Sequence, residues 1–471
     1  MQAKIFFGST EAVKENFSER KSPFNGEVVS QAPTCNADDA KKALKIAQGA
    51  LKNAKSSTLS QRCNWLLDVA KKLKENKEDI AKTITDEVGK PITFARIEVE
   101  RCIETVTLSA ETMRTMHGET INTDAMSSGK KSIAYFSRVP AGVVVAITPF
   151  NFPLNLIAHK LAPALVAGNA VVLKPTPEAP LTAYKFAKLF IESSYAIKDA
   201  LSVVYGDAEV GNALITSDIP RVISFTGSVP VGNIITKNAG IKKVSLELGG
   251  NAATFIDKSA DLDLAANRCA LGAFVNSGQV CISLQRIYVD SAIYDEFAQK
   301  MAEETKKLIV GSPYDDDTFM GPLIDDEAAI RAMGWVESAI EEGATPLLPP
   351  HREGRMFHPC VMANVTDDMA IVCEEVFAPI VSLVKVDGFD EAFPKMNNSP
   401  YGLQFSVFTN DLKLAQRAID ELDAGGIVIN DMPTLRFDIQ PYGGVKLSGV
   451  GREGPRFAIE EMTEIKSVVI C

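Results

Sequence analysis

Short apolar segments alternate with helical segments from Gly142 to Gly227, and this alternation constrains the fold more than any other feature of the sequence. The apolar segments are GVVVAIT, AVVLKP, LSVVY and RVISFTG, and helical patterns begin between them at Leu154, Leu181 and Val210. Such alternation is typical of a parallel sheet with helices on its faces. A sheet of this kind binds nucleotides at the carboxyl ends of its strands.

The rest of the chain has three further patterns. Asp38–His117 is charged, with apolar residues at helical spacing, and Lys130–Pro140 is typical of extended chain. A second set of strand and helix signals begins at Lys243 and runs to about Val445, which predicts a second α/β domain. The apolar stretch Ile465–Ile470 predicts a strand that pairs with another subunit, because an unpaired edge is a liability.

Composition excludes several classes of protein. The 471 residues are enough for two or three domains of about 100–200 residues each. The net charge of -11 argues against general binding to nucleic acid or to anionic membranes. The sequence has no signal peptide and no apolar run of about 20 residues, so we expect a cytoplasmic protein. Its eight cysteines have no paired spacing and it has only four histidines, which disfavours disulfides and a metal site.

Cys281 lies in the polar, glycine-containing segment NSGQVCIS. A single cysteine is more often a packed core residue than a nucleophile, because free cysteine is among the most buried residue types. The neighbouring Ser277 and Gly278 are small enough to let a substrate reach the sulfur. Cys281 is therefore a candidate nucleophile, with a core cysteine as the alternative.

Glu247 ends an apolar segment and is followed by Gly249 and Gly250, which allow a ligand to approach the backbone. A surface glutamate at a strand end is the simpler interpretation. In an apolar setting, however, desolvation raises the pKa of a carboxyl group and makes it a general base near neutral pH. We expect Glu247 to activate water.

Asn151 follows the predicted strand GVVVAIT directly, in the segment TPFNFP. Asparagine and proline are also common in ordinary turns. At the carboxyl end of a strand, however, an asparagine amide can hold a developing oxyanion. Asn151 is the candidate for that role.

The segment Phe225–Gly232 has the pattern of a strand, a glycine turn and a helix start. It does not match the G-x-G-x-x-G dinucleotide motif. Ser228 is placed to cap the helix, and the free N–H groups of the first turn can face a pyrophosphate. Pro230 is tolerated because it falls in the first helical turn.

Seven motifs in their order along nearly the whole chain resemble those of the aldehyde dehydrogenase superfamily: TPFNFP, KPTPEAP, FTGSVPVG, LELGGN, GQVC, EEVFAPI and PYGGVKLSGVGREG. The resemblance implies an α/β fold with a Rossmann-like cofactor domain, an α/β catalytic domain and a small β oligomerisation element. The implied dinucleotide-binding domain comprises residues 1–121 and 140–246, and the catalytic domain residues 247–454. Residues 122–139 and 455–471 would be the oligomerisation strands of a homodimer or homotetramer.

The same resemblance implies a mechanism. Cys281 matches the nucleophile, and Asn151 with the backbone N–H of Cys281 matches the oxyanion hole. Hydride would pass to nicotinamide and leave a thioester on the sulfur. Glu247 matches the residue that activates the hydrolytic water, so a carboxylic acid product is favoured over acyl transfer to coenzyme A.

The cofactor positions also follow from the resemblance. Lys174 matches the lysine that contacts the adenosine ribose, Gly227 and Ser228 match the pyrophosphate turn, and Glu375 and Phe377 match the pair at the nicotinamide ribose and ring. Further implied cofactor positions are Thr148, Pro149, Thr176, Pro177, Gly232 and Leu248.

One departure from the family pattern concerns the choice of nucleotide. Members that prefer NAD often carry a glutamate three residues after the lysine, where this chain has Pro177, with Glu178 one place later. Without that carboxylate, a 2′-phosphate meets less repulsion. We expect NADP as the cofactor, with NAD as the alternative because of Glu178.

One segment resembles a particular branch of the superfamily and so indicates a substrate class. Residues 430–438 (NDMPTLRFD) resemble the branch of lactaldehyde, phosphonoacetaldehyde and non-phosphorylating glyceraldehyde-3-phosphate dehydrogenases. Arg101 and Arg436 correspond to basic positions in members that bind anions, although each is equally compatible with a structural role. Phe152 and Val280 stand where strongly anion-binding relatives can carry polar or basic groups, and Ile282 completes the substrate-binding set. We expect a small hydroxyaldehyde such as lactaldehyde, with succinic semialdehyde or glyceraldehyde-3-phosphate as alternatives.

Two other classes compete with a dehydrogenase. A catalytically idle structural member usually lacks the cysteine or the glutamate, and both Cys281 and Glu247 are present. A cofactor-independent thiol esterase could use the same nucleophile. We expect a small-molecule aldehyde as the partner, and neither nucleic acid nor membrane.

Overall fold

The computed structural model describes all 471 residues, from Met1 to Cys471. Its first part contains short strands followed by long helices: β1 (Ile5–Phe7), β2 (Thr10–Ala12), β3 (Phe17–Lys21), β4 (Val28–Pro33), α1 (Ala37–Ser56), α2 (Leu59–Glu75), α3 (Lys77–Val88) and α4 (Ile92–Thr115). The predicted helical character of this region is confirmed. Helix α1 begins with a capping box, in which Asn36 accepts the N–H of Asp39 and the Asp39 carboxylate accepts the N–H of Asn36.

A parallel sheet follows, as the alternation predicted. Its elements, with two preceding strands, are β5 (Glu119–Thr120), β6 (Ile133–Pro140), β7 (Val143–Ile147), α5 (Asn155–Val166), β8 (Ala170–Lys174), α6 (Pro180–Ile191), β9 (Leu201–Val203), α7 (Ala208–Thr216), β10 (Pro220–Thr226), α8 (Val229–Asn238) and β11 (Lys243–Glu247). The five parallel strands lie in the order β9-β8-β7-β10-β11. The chain therefore builds outward from β7 in both directions, which creates a switch point between β7 and β10 where open α/β sheets bind ligands.

The position of β11 corrects one prediction. The strand signal at Lys243 was assigned to the second set of elements, but β11 pairs in parallel with β10, from Val222↔Lys243 to Thr226↔Glu247. The reason is that β11 continues the same strand–helix–strand progression through α8. Glu247 thus lies at the carboxyl edge of the first sheet.

A second sheet is built from the next part of the chain. Its elements and the neighbouring ones are β12 (Ala252–Ile256), α9 (Leu262–Phe274), a 3₁₀ turn (Val275–Gly278), β13 (Leu284–Asp290), α10 (Tyr294–Lys306), α11 (Asp326–Glu341), β14 (Thr345–Pro346), β15 (Arg352–Glu353), β16 (Met356–Phe357), β17 (Cys360–Ala363), α12 (Ala370–Cys373), β18 (Ile380–Val386), α13 (Phe389–Asn397), β19 (Tyr401–Gly402), β20 (Gln404–Phe408), α14 (Leu412–Glu421) and β21 (Gly426–Ile429). The sheet has the strand order β14-β17-β18-β13-β12-β20-β21, and all of its pairs except β14–β17 are parallel.

The last elements return to the first sheet and to β6. They are β22 (Val445–Lys446), β23 (Gly449–Val450), α15 (Pro455–Glu461) and β24 (Thr463–Ile470). Strand β23 pairs with β11, and β24 pairs antiparallel with β6 from Thr463↔Pro140 to Ile470↔Ile133. The predicted strand at Ile465–Ile470 is confirmed, but its pairing partner is β6 of the same chain. The other edge of β24 has no neighbouring strand within the chain.

The carboxyl edge of the first sheet faces the amino edge of the second. The carboxyl ends of β7, β10 and β11 and the amino ends of β13 and β18 border one pocket. Strands β7 and β8 are almost wholly buried, as expected for a parallel sheet covered on both faces. No helix of the structure combines the length and the apolar character needed to cross a membrane.

Candidate functional site

One pocket of about 400 Å³ brings together most of the residues singled out from the sequence. All the predicted catalytic and substrate-binding residues line it: Cys281, Glu247, Asn151, Arg101, Phe152, Val280, Ile282 and Arg436. The predicted cofactor residues that also line it are Pro149, Gly227, Ser228, Leu248, Glu375 and Phe377. The predicted cofactor residues outside its lining are Thr148, Lys174, Thr176, Pro177 and Gly232.

The loop that carries Cys281 is held in an uncommon backbone conformation. Asn276 and Ser277 adopt left-handed φ angles of 52° and 57°, which are unfavourable for residues other than glycine. The Ser277 hydroxyl donates to the carbonyl of Gly321 at 2.7 Å, and a Cβ on Gly278 would lie 2.2 Å from the carbonyl oxygen of Ala378. Ser277 and Gly278 were predicted to leave access to the sulfur. Both are buried, and they fix the loop instead.

Cys281 is a half-buried free thiol just before β13. Its Sγ lies 2.9 Å from the hydroxyl of Tyr442. Burial raises the pKa of the Cys281 thiol to about 11, and Glu375 and Glu247 act in the same direction. The hydrogen bond from Tyr442 and the charge of Arg436 oppose this rise. Among the eight cysteines, Cys281 is the one that lines the pocket.

Asn151 reaches across from the first sheet to the loop of Cys281. Its Nδ2 donates to the backbone carbonyl of Gln279 at 3.1 Å, and its Oδ1 accepts the backbone N–H of Phe152. A primary amide has two N–H donors, so one hydrogen of Asn151 is left for a ligand. The buried Glu98 supports this loop, since its Oε1 accepts the backbone N–H of Leu154 at 2.8 Å.

Glu247 is the last residue of β11 and is almost fully buried. Neither of its carboxylate oxygens has a hydrogen-bond partner. Burial raises the pKa of Glu247 well above its ordinary value, and the nearby Glu453 raises it further, against the opposing charges of Arg436 and Lys160. A carboxyl group in this state suits proton transfer with a small molecule that enters the pocket.

The two pocket arginines are already paired with carboxylates. Arg101 makes a bidentate pair with Asp438, with Nε and Nη2 at 2.9 and 2.7 Å from its oxygens. Arg436 donates to Glu453 at 3.1 Å and lies 3.8 Å from Asp438. His159 contacts Asp438 at 2.9 Å, and these hydrogen bonds hold the pKa of Asp438 well below its usual range despite burial. The pocket therefore presents compensated arginine charges.

The turn after β10 fits a pyrophosphate. A Cβ on Gly227 would lie 2.5 Å from the ring of Phe225, so any larger residue there would require this ring to move. Ser228 is the N-cap residue of α8, yet its side chain caps no backbone N–H. The N–H groups of the first turn of α8 are thus left for an anion. The buried hydroxyls of Thr148 and Thr226 also lack partners, which fits a polar ligand along this edge.

Lys174 ends β8, beside the strand end at Ile147. The backbone N–H of Thr148 donates to the Lys174 carbonyl at 3.3 Å, so this lysine lies at the same edge as the pocket. Burial lowers the pKa of Lys174, and the charge of Glu178 opposes that change. The Thr176 hydroxyl donates to the Glu178 carboxylate, while Pro177 is exposed.

Gly232 lies in α8, outside the pocket lining. A Cβ on Gly232 would lie 2.8 Å from both methyl carbons of Leu248. This glycine lets α8 pack closely against the residue that follows Glu247. Gly232 therefore contributes to the site indirectly, by allowing the position that α8 occupies.

Glu375 and Phe377 form the opposite wall. Glu375 accepts the backbone N–H of Gly250 at 3.0 Å, and a Cβ on Gly249 would lie 2.4 Å from its Oε2. Burial raises the pKa of Glu375 to about 7. Phe377 has a left-handed φ of 50°, and its ring packs edge to face on Phe150 at 6.0 Å.

Several residues of the site were missed by sequence reasoning. Tyr442 and Glu453 stand in the motif PYGGVKLSGVGREG, but no role was assigned to either. Asp438, which pairs with the pocket arginines, ends the segment 430–438, but no role was assigned to it, and His159 has no distinguishing signal in the sequence. Thr434 also lines the pocket, and its buried hydroxyl lacks a partner.

The model of the aldehyde dehydrogenase family matches residues 10–468. A 3-sulfolactaldehyde dehydrogenase of Priestia aryabhattai is 46% identical over 92% of this chain and 90% of that protein. A lactaldehyde dehydrogenase of Methanococcus aeolicus is 40% identical over 96% of this chain and 97% of its own length. The crystal structure of an NADP-dependent glyceraldehyde-3-phosphate dehydrogenase of Bacillus halodurans, complexed with NADP, superposes with a TM-score of 0.98 at 33% identity, over 100% of this chain and 99% of that one.

The fold, the pocket and these matches define an oxidoreductase that uses a pyridine nucleotide to oxidise aldehydes. The chain belongs to the aldehyde dehydrogenase family. The predicted α/β fold with a Rossmann-like arrangement is confirmed.

Proposed function

We propose that this enzyme oxidises a small 2-hydroxyaldehyde of the lactaldehyde type to its carboxylic acid, through a thioester on Cys281. The observation that carries the proposal is the convergence of Cys281, Asn151 and Glu247 on one pocket, from strand ends and adjoining loops of two different sheets. The turn at Gly227 and Ser228 opens on the same pocket, so a bound nucleotide would meet the sulfur there.

Each of the three residues has its own role in the proposed reaction. The Cys281 thiolate attacks the aldehyde carbon, and the Asn151 amide with the backbone N–H of Cys281 holds the oxygen of the resulting thiohemiacetal. The pyridine nucleotide, when bound, supplies the hydride acceptor that oxidises this adduct to a thioester. Glu247 takes a proton from the water that hydrolyses the thioester, and Cys281 is released as the product acid forms. Water as the acyl acceptor, rather than coenzyme A, is part of the proposal.

For the cofactor we propose NADP, with NAD as the alternative. Ser228 and the N-terminus of α8 would hold the pyrophosphate, and Lys174 would hold the adenosine ribose. Pro177 leaves no carboxylate at that position, and the buried Lys174 ammonium can pair with a 2′-phosphate. The similar Bacillus halodurans enzyme binds NADP, which supports this assignment. Glu178 acts against it, because its charge lies close enough to affect Lys174.

The substrate proposal rests on the charges of the pocket. Arg101 and Arg436 are engaged by Asp438 and Glu453, so a multiply charged substrate would compete with existing ion pairs. Phe152, Val280 and Ile282 add an apolar surface near the sulfur. A small neutral aldehyde with a hydroxyl group suits this setting, and the lactaldehyde dehydrogenase of Methanococcus aeolicus supports that class.

A second candidate substrate is an anionic 2-hydroxyaldehyde such as 3-sulfolactaldehyde. Arg101 favours it, because 26% of its side chain stays exposed while it pairs with Asp438. A guanidinium has five N–H donors, and the bidentate pair uses two of them. The 46% identity to the Priestia enzyme supports this candidate.

A substrate panel tests the proposal. Lactaldehyde, propanal, 3-sulfolactaldehyde, glyceraldehyde-3-phosphate and succinic semialdehyde are offered with NADP or NAD, and reduced cofactor is followed by absorbance. We expect the highest kcat/KM for lactaldehyde or 3-sulfolactaldehyde. A preference for succinic semialdehyde or glyceraldehyde-3-phosphate would overturn the substrate class, and turnover without nucleotide would indicate an esterase.

We also propose the implied division of the chain. Residues 1–121 and 140–246 would bind the nucleotide, and residues 247–454 would form the catalytic domain. Residues 122–139 and 455–471 would join subunits of a dimer or tetramer, for which the free edge of β24 and its exposed Ile465 and Ile470 offer a surface. Light scattering with Ile465→Lys measures this directly, since the charge should lower the assembly mass. The cytoplasmic location stays a prediction.

A further inference from the structure

The Cys281 sulfur makes a hydrogen-bonding contact with a phenol. The Tyr442 hydroxyl lies 2.9 Å from Sγ, and Tyr442 is almost fully buried against Val280, Ile282 and Leu403. We propose that Tyr442 stabilises the Cys281 thiolate by donating its phenolic hydrogen, and that Arg436 positions Tyr442 for this contact. The inference rests on the proposed function, because it concerns the nucleophile of that reaction.

The direction of the hydrogen bond follows from the two partners. A neutral thiol and a phenol can each donate, but a thiolate can only accept. Once Cys281 ionises, the Tyr442 hydroxyl must be the donor in this contact. A hydrogen bond to an ionised group is stronger than one between neutral groups. The contact therefore favours the thiolate over the thiol and makes Cys281 more acidic.

Arg436 fixes the phenol from the other side. Its guanidinium carbon lies 3.7 Å from the centre of the Tyr442 ring, which is the arrangement of a cation–π contact. Its Nη2 donates to Glu453 at 3.1 Å and contacts His159 at 3.2 Å, so the guanidinium has little freedom to move. The cation over the ring also makes the phenol a better donor, because it stabilises negative charge on the ring oxygen.

Glu453 connects both residues. Its backbone N–H donates to the Tyr442 carbonyl at 2.6 Å, and the Tyr442 N–H donates to the Glu453 carbonyl at 3.1 Å. Its carboxylate meanwhile binds Arg436 and Lys160. The backbone and the ring of Tyr442 are thus held by the same acidic residue. Arg436 acts on the sulfur through Tyr442, which explains a pocket arginine whose charge is already paired.

The remaining charged groups near the sulfur act in opposite directions. Glu375 and Glu247 raise the pKa of Cys281, while Arg436 and Tyr442 lower it. Burial acts with the two glutamates. Without Tyr442, the thiolate would lack its nearest hydrogen-bond donor in a mostly apolar surrounding.

The test measures the thiol directly, with neither aldehyde nor nucleotide present. Alkylation of Cys281 by iodoacetamide, which reacts only with the thiolate, is followed by mass spectrometry of its peptide from about pH 7 to about pH 12, a range that includes the raised pKa of the thiol. The proteins are wild type, Tyr442→Phe and the control Tyr205→Phe. Tyr205 is a buried tyrosine outside the pocket, and its hydroxyl has no partner.

We expect the Tyr442→Phe curve to move to higher pH by about one unit, since one pKa unit is a tenfold change in thiolate fraction. At a given pH below the midpoint, alkylation should be about threefold to tenfold slower, because a less acidic thiolate is more nucleophilic and offsets part of the loss. The Tyr205→Phe curve should match wild type. A merely structural role of Tyr442 would not displace the pH curve.

An unchanged curve, or one displaced to lower pH, would overturn the inference. If Tyr442→Phe melts early by circular dichroism, Arg436→Lys is used instead, since it keeps the charge beside Glu453 but loses the planar contact with the ring. A smaller displacement of the curve to higher pH is then expected, and the absence of any displacement would overturn the inference.

The two proposals can fail separately. If the wild-type enzyme oxidises aldehydes but the Tyr442→Phe curve is not displaced, only this inference is wrong. A displaced curve in a protein that oxidises no aldehyde removes the proposed function alone.

Discussion

The side chain of Asn151 donates from Nδ2 to the backbone carbonyl of Gln279 at 3.1 Å, and this hydrogen bond ties the edge of the first sheet to the loop of Cys281. The two residues are 128 positions apart in the sequence. Asn151 and Cys281 line the same pocket, so the remaining Asn151 N–H is free to bind the oxyanion of the proposed reaction.

Asn151→Ala should therefore lower kcat by about 10²–10³-fold, the usual effect of removing one oxyanion donor. Single-turnover kinetics with saturating nucleotide and lactaldehyde would place the loss in the hydride step. Asn267→Ala serves as the control, because Asn267 is an exposed asparagine that bonds Glu304. A normal hydride burst in Asn151→Ala would contradict the oxyanion role.

Cys281→Ala should abolish turnover while nucleotide binding, measured by fluorescence titration, stays close to wild type. The reason is that Cys281 lies just before β13 of the second sheet, whereas Gly227 and Ser228, the proposed pyrophosphate turn, follow β10 of the first. Cys471→Ala, at an exposed cysteine, is the matched control. Retained dehydrogenase activity in Cys281→Ala would remove the nucleophile assignment.

The first sheet could be predicted from the sequence because its strands are buried on both faces. Val143 to Ala146 and Val171 to Leu173 are continuous apolar runs, and each is followed by turn residues and a helical pattern. The same logic misplaced β11, since a strand signal indicates an element but not the sheet that it joins. Only the pairing of Val222 with Lys243 assigns it to the first sheet.

The site could be predicted only in part, for a similar reason. Motif order singled out Cys281, Glu247 and Asn151, and the resemblance added Arg101 and Arg436 as basic positions; all five line the pocket. The pairing of Arg101 with Asp438 spans 337 positions and leaves no local pattern. The Tyr442 contact with the sulfur, across 161 positions, is equally invisible, because it depends on how the two sheets face each other.

Glu247→Gln should leave the first hydride burst nearly intact and lower steady turnover by about 10²–10⁴-fold, the usual range for a general base. Glutamine keeps the shape of the side chain but cannot accept the proton of water. Stopped-flow absorbance separates the two phases. Glu341→Gln, an exposed surface change at the end of α11, is the control. A normal steady state in Glu247→Gln would argue against the base assignment.

The burial of Glu247 also predicts how stability depends on pH. Its folded-state pKa lies well above 4.5, so the folded state holds a proton that the unfolded state has lost. The contribution of Glu247 to the free energy of unfolding therefore falls as pH rises above 4.5, by about 1.4 kcal/mol per pH unit until the folded-state pKa is passed. Glu247→Gln lacks this pH-dependent loss of stability, so the difference between its melting temperature and that of wild type should increase as pH rises. A difference in melting temperature that is constant with pH would show that Glu247 is not desolvated.

Pro177→Glu should shift the nucleotide preference from NADP towards NAD. Pro177 is exposed beside the end of β8, so a glutamate there can extend towards the proposed site of the adenosine ribose without displacing core residues. Its charge would repel a 2′-phosphate near Lys174, and two like charges near a protein surface interact by up to about 4 kcal/mol at 4 Å. The ratio of kcat/KM for NADP to that for NAD should fall at least about tenfold, which corresponds to about 1.4 kcal/mol.

Two further variants separate charge from shape. Pro177→Gln introduces a side chain of the same size as glutamate but without its charge, so it should leave most of the ratio unchanged. Glu178→Gln should raise the ratio, because it removes a carboxylate whose charge already reaches Lys174. If Pro177→Glu and Pro177→Gln change the ratio equally, the preference is set by backbone shape and not by charge.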